Sequence, residues 1–257
     1  MSQEKSRKQS RKQQLQHDHR PENIARRLQQ APQPRRLADL VLGAIDGCVT
    51  TFAIVCGAYG AGFPPLVVVV MGFANLLADG FSMAVSNYEA VSTEQHYADT
   101  ARRTEEQHIA LVPEGEREEV RQIFAAKGFS GESLEIIVNT VTSDHKLWVD
   151  TMLQEEYGLA PIEPNPLASA WWTFCAFVAI GLIPLLPFLV PGIAQSRQFF
   201  ASAVLAGIVF FAIGLVKGWV NSRSLLASGL RTFVLGGGAA FLAFATGYFL
   251  RLIFGIQ

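Results

Sequence analysis

Apolar positions in this chain come in long blocks, not in the short alternations of a soluble core. Residues 37–59 form the first block, GAGFPP follows as a tight uncharged turn, and residues 66–88 form the second, opened by Pro64 and Pro65. Blocks at 168–190, 199–220 and 230–254 close the chain, the earliest of these interrupted by Pro184 and Pro187. At about 1.5 Å of helical rise per residue, each is long enough to cross a hydrocarbon core of about 30 Å. Between the second and third blocks lies a polar, helix-prone stretch, 91–165. The second block enters it with no breaker before Ala110, so one helix is expected to continue out of the membrane until Pro113 stops it. Further helices are expected at about 115–127, ended by Lys127 and Gly128, at 132–141, and at 143–156, closed by Gly158 and the proline-containing 161–166. Leu134, Ile137, Val138, Val141, Leu147 and Trp148 give them apolar faces, as in a small bundle. The pattern predicts an all-α membrane protein: five transmembrane helices with a helical insert between the second and third.

Composition agrees. Of 257 residues 50% are hydrophobic and only 17% charged, with a mean hydropathy of +0.25, too apolar for an ordinary soluble domain of that length. The net charge of −1 conceals a partition: residues 1–36 hold ten bases against three acids, whereas 94–163 hold 15 of the 22 acids and six bases. Four segments follow: a disordered basic tail (1–36) with a short helix near 23–30, the first two spans (37–90), the insert (91–165) and the last three spans (166–257). The tail lacks the apolar core of a signal peptide. It also lacks the aromatic interleaving of a nucleic-acid binder, so anionic lipid headgroups are its expected partner and no nucleic acid is. Short-loop basic residues (the tail, Lys217, Arg223 and Arg231) put the N-terminus and the insert on the cytoplasmic side and, with five spans, the C-terminus outside. Cys48, Cys56 and Cys175 all fall in apolar blocks and read as small buried residues.

Two constellations could carry chemistry. In the second block Asn75, Asp79, Met83 and Asn87 recur every four residues and share one helix face. An acid in lipid costs about 2.5–3.5 kcal/mol on insertion scales, so such groups face partners, water or an ion path. Asp46 is the acid well inside the first block, and depth arithmetic puts it within about 5 Å of the height of Met83. A carboxylate with a thioether favours Fe²⁺, with Mn²⁺, Co²⁺ or Zn²⁺ as other candidates. One chain supplies too few such ligands, so a two-fold homodimer with both residues repeated across the axis is expected. Glu89 is a further acid near the cytoplasmic mouth. In the insert, Glu105 with His108, Glu116 with Glu119, and Met152 with Glu156 each put two ligands on one helix face. Uncompensated acids in a small bundle repel one another unless a cation neutralises them.

The runs DGCVTTFAIVCG (46–57), GFANLLADGFSMAVSNYEAVS (72–92), PEGEREEV (113–120), WVDTMLQEEYGL (148–159) and RSLLASGLRTFVLGGGAAFLAFATGYFL (223–250) resemble the vacuolar iron transporter family from about residue 37 onward. The resemblance implies five transmembrane helices, a cytoplasmic metal-binding domain between the second and third, and a homodimer exchanging Fe²⁺ for protons. It implies translocation roles for Asp46 and Met83, and metal ligation by Glu105, Glu116, Glu119, Met152 and Glu156. Three positions depart from the family pattern: His108 stands where Glu is usual, Leu153 where a second Met is common, and Asn87 where Glu is frequent. His108 can still ligate through its neutral imidazole. Asn87 removes a proton carrier.

The expected function is a carrier rather than an enzyme: a secondary antiporter taking Fe²⁺, with Mn²⁺ as second candidate, out of the cytoplasm. The insert would collect the ion, and Asp46 and Met83 would pass it on. A bacterial cytoplasmic membrane is the expected host. One rival is a membrane-tethered di-iron carboxylate oxidase, for which the chain offers one Glu-x-x-His where such sites use two. The other is a metal-binding protein without transport. Gly236, Gly237 and Gly238 lie inside an apolar block and are expected to pack helices closely.

Overall fold

The computed structural model describes residues 16–29, 34–159 and 165–255, and among these it is helical throughout, with no strand. An N-terminal unit ending at residue 34 contains α1 (Pro21–Gln29), close to the expected short helix. Residues 34–36, expected in the disordered tail, already belong to the next helix, and residues 1–15 and 30–33 of the tail lie outside the described residues.

The second unit contains α2 (Pro34–Gly60), α3 (Pro65–Leu111), α4 (Pro113–Ala126), α5 (Gly131–Ser143), α6 (His145–Glu155), α7 (Pro166–Gly181), a 3₁₀ segment (Ile183–Leu189), α8 (Gln195–Val220) and α9 (Leu225–Phe254). Among the described residues four helices, α2, α3, α8 and α9, are long and apolar enough to cross a membrane, and a fifth span results if α7 and the 3₁₀ segment, bent by 42°, cross together. The break follows from the sequence. Pro184 and Pro187 donate no N–H and cannot continue an α-helix. The carbonyls freed there are met by α8: Ser202 donates its hydroxyl to Pro184 O at 2.7 Å and Gln198 its amide to Val190 O at 3.0 Å. Inside a bilayer such compensation is what makes a broken span tolerable.

In the apolar bundle Cys48, Phe52, Val55, Leu76, Phe177, Leu185 and Phe210 form the core. Small residues set its spacing, because lipid and side chains are equally apolar and close backbone contact becomes the attraction. A Cβ on Gly43 or Gly47 of α2 would fall on the backbone of Thr173 or Phe177 of α7, and one on Gly247 of α9 on the Gly57 carbonyl. Gly236 packs on the Phe210 ring, but Gly237 and Gly238 have nothing within 4 Å, so the expected three-glycine contact reduces to one. Cys48 and Cys56 are buried, while Cys175 is only half-buried.

α3 is one continuous helix of 47 residues, about 70 Å at the usual rise and twice the thickness of a hydrocarbon core. Its first half belongs to the apolar bundle; its second half, with α4, α5 and α6, encloses a separate core of Ala101, Ile109, Val120, Val138, Val141, Trp148, Val149, Met152 and Leu153. Leu147, expected on the apolar face, is 43% exposed. α4 starts at Pro113, two residues before the expected start, because proline suits the first helical position. α6 is capped by Asp144, whose carboxylate accepts from Lys146 N at 2.9 Å and Leu147 N at 3.1 Å.

Candidate metal centre

Three helices of the insert bring acids together. Glu105 on α3 is fully buried, Glu116 on α4 is 5% exposed, and His108, one turn beyond Glu105, is exposed. His108 Nδ1 lies 3.4 Å from Glu116 Oε1. One ligand atom from each of the three lies within 4.8 Å of the others. Ligands on opposite sides of an ion at about 2.1 Å are about 4.2 Å apart, so this spacing suits a divalent ion. Glu119 on α4 and Glu156, just past the end of α6, are exposed, and both are near enough to act on Glu105 electrostatically. Met152 is fully buried in the core of the insert, one turn before Glu156.

Burial without a basic partner sets Glu105 and Glu116 apart from the insert acids that bases hold. Arg102 pairs with Asp150, Arg121 with Glu118 and Glu135, and Lys127 with Glu155, while Arg117 bonds to Thr142 and Asn139. None of these four bases reaches Glu105 or Glu116. Both oxygens of Glu105 and Oε2 of Glu116 are buried without a hydrogen-bond partner. Burial first, and then the Glu116 carboxylate beside it, pushes Glu105 up to about 8. Glu156 is raised in the same direction by partial desolvation and by the charges of Glu119 and Glu116, with His108 acting the other way. A buried carboxylate lacking a donor is costly, and a cation removes that cost. A hard oxygen set with one imidazole suits Fe²⁺ or Mn²⁺.

The second constellation lies between α2 and α3, whose antiparallel register is fixed by two hydrogen bonds. Asn75 Nδ2 donates to Thr50 Oγ1 at 3.2 Å, and Asn87 Nδ2 donates to Asp39 Oδ1 at 3.0 Å. With Asn75 level with Thr50 and Asn87 level with Asp39, Asp79 comes level with Asp46, and the two charges interact. Met83 sits one turn further along α3, about 6 Å toward Asn87. It is half-buried and packs on the bundle core. So the whole row expected from the sequence, Asn75, Asp79, Met83 and Asn87, runs along α2, but the direct counterpart of Asp46 is Asp79, not Met83. Asp46 is half-buried; Asp79 and Glu89 are exposed. Sequence reasoning missed Asp39, which is only 4% exposed. Its signal was there: it precedes Asp46 by seven residues and so lies on the same helix face.

Against known proteins, the chain matches the VIT family over residues 37–248. The chain belongs to that family. It is 33% identical over 208 residues to vacuolar iron transporter 1 of Arabidopsis thaliana, covering 80% of this chain and 82% of the relative. It is 32% identical over 208 residues to vacuolar iron transporter 2 of Oryza sativa subsp. japonica, covering 80% and 84%. With the vacuolar iron transporter of Toxoplasma gondii it shares 31% identity over 225 residues, covering 84% and 74%. The VIT match begins at residue 37, so both constellations fall inside it and the basic tail outside.

Proposed function

We propose that this VIT-family chain is a homodimeric secondary transporter that takes Fe²⁺, and Mn²⁺ as an alternative cargo, out of the cytoplasm in exchange for protons. One observation carries the metal part: both oxygens of Glu105 and Oε2 of Glu116 are buried without a hydrogen-bond partner, beside His108, and no lysine or arginine pairs with either carboxylate among the described residues. Glu105, His108, Glu116, Glu119 and Glu156 would take the ion from solution, with Met152 behind them. The continuous α3 leads from this insert into the apolar bundle, where the row Asn75, Asp79 and Met83 beside Asp46 supplies the next oxygen and sulfur groups.

Support for the dimer comes from Asp79, an exposed acid among exposed Leu77, Ala78 and Phe81 on α3. A carboxylate facing lipid is expensive, so a second copy of the same face, enclosing Asp46, Asp79 and Met83 from both chains, is the economical cover. Proton exchange follows from competition: a carboxylate such as Asp46 binds either a metal ion or a proton. The positive-inside pattern keeps the insert in the cytoplasm. The relatives compared above come from plants and an apicomplexan and are named for the vacuole, so the bacterial membrane expected from the sequence has no support among them.

The full chain in sealed liposomes tests this, with uptake of Fe²⁺, Mn²⁺, Co²⁺ and Zn²⁺ compared while internal pH is followed. Metal entry with opposite proton movement is expected, Fe²⁺ and Mn²⁺ leading. Metal binding with no flux would leave a binding protein instead.

A further inference from the structure

Where α2, α3 and α7 meet, Asp39 is buried with one oxygen satisfied and one free. Oδ1 accepts from Asn87 Nδ2 at 3.0 Å, and Oδ2 has no partner. Asn87 directs its second N–H to Thr173 Oγ1 at 2.8 Å, so both hydrogens of the amide are committed and its orientation is fixed. The hydrogen donated to Oδ1 opposes a metal cation there but leaves Oδ2 open to the smallest cation, a proton. Among the described residues Asp39 has no ion-pair partner. Of the charged and titratable groups on the helices packed here, Arg36 on α2 is one turn away and exposed, and Asp46 is two turns deeper. On α3, Asp79 lies two turns from Asn87, and Glu89 is exposed. α7 contributes only Cys175, half-buried.

We propose that Asp39, held by Asn87, is the proton-carrying station between Asp46 and cytoplasmic water. This rests on the antiport reading above and names a residue it leaves out. In the step, a proton bound at Oδ2 leaves as the O–H bond breaks, passes to a water molecule at the cytoplasmic mouth as hydronium, and leaves a carboxylate anchored through Oδ1. A proton arriving from the direction of Asp46 restores the acid. Asn87 binds no proton itself; it fixes the carboxylate that does.

The test moves the carboxylate across the hydrogen bond. In proteoliposomes of the full chain, Asp39→Asn is expected to cut metal-driven proton movement about 100-fold, the low end for losing a positioned proton-transfer group. Metal binding to the insert, read by calorimetry on the same protein, is expected to be unchanged. The exchange Asp39→Asn with Asn87→Asp returns one carboxyl group to the cluster and is expected to restore proton movement. In infrared difference spectra on acidification, one component of the protonated-carboxyl band is expected to be present in the parent and the exchange variant and missing in Asp39→Asn, while the components from the other acids stay. Full coupling in folded Asp39→Asn, or an exchange variant that folds but stays uncoupled, overturns the proposal. A parent protein that moves metal without protons overturns the antiport reading first and this proposal with it.

Discussion

A carboxyl group with no exposed surface and no donor, as at Glu105, keeps its proton to about pH 8 while no cation is near. Because its folded value is raised above the unfolded one, near 4.5, it stabilises the metal-free fold fully below that unfolded value. That stabilisation is lost as pH rises toward about 8. The metal-free insert is therefore expected to melt lower at alkaline than at mildly acidic pH, and Glu105→Gln to flatten that difference in thermal melts. Metal has the opposite dependence, since the ion replaces the proton: affinity is expected to rise with pH up to about 8, with proton release on binding measurable by calorimetry in two buffers. Glu105→Gln is expected to weaken binding at least about tenfold, since even groups supporting a ligand cost 10–100-fold. At this scale the gathering of Glu105, His108 and Glu116 into one candidate cluster was legible. Spacings of three and four gave Glu105 with His108, Glu116 with Glu119, and Met152 with Glu156, because ligand pairs on a helix must share a face. Asp39 escaped because it lies just inside the end of its apolar block, where an acid reads as a solvated flank; the group that holds it, Asn87, is on another helix and is itself fixed by Thr173 on a third.

Helices were legible where punctuation is chemical. Pro65, Pro113 and Pro166 open α3, α4 and α7, and Pro184 with Pro187 break the span after α7. Packing partners were not, because a glycine in an apolar run does not declare which neighbour it admits: Gly236 meets Phe210, while Gly237 and Gly238 meet nothing. Two substitutions test this level. Asp144→Ala removes the two hydrogen bonds capping α6 and is expected to cost about 1 kcal/mol, read as a lower melting point of the insert. Gly47→Leu forces a side chain against the rigid backbone at Phe177, so a loss of more than about 3 kcal/mol is expected. Less folded protein extracted from membranes would check it.

On the scale of the whole molecule, one long helix connects two cores of opposite character: an acidic insert and an apolar bundle. The exposed face of α3 around Asp79 is the surface that a second copy would cover. Ala78→Cys, in a background lacking Cys48, Cys56 and Cys175, is expected to cross-link to a dimer in membranes, and a monomer under the same oxidant would argue for a different face. The proposed transport then turns on Asp46, level with Asp79. The most direct measurement is metal-dependent proton movement by Asp46→Ala in proteoliposomes, alongside the parent and with metal binding to the insert checked on both. Abolished proton and metal flux with binding retained is the expected result; undiminished flux from the folded variant would contradict the account.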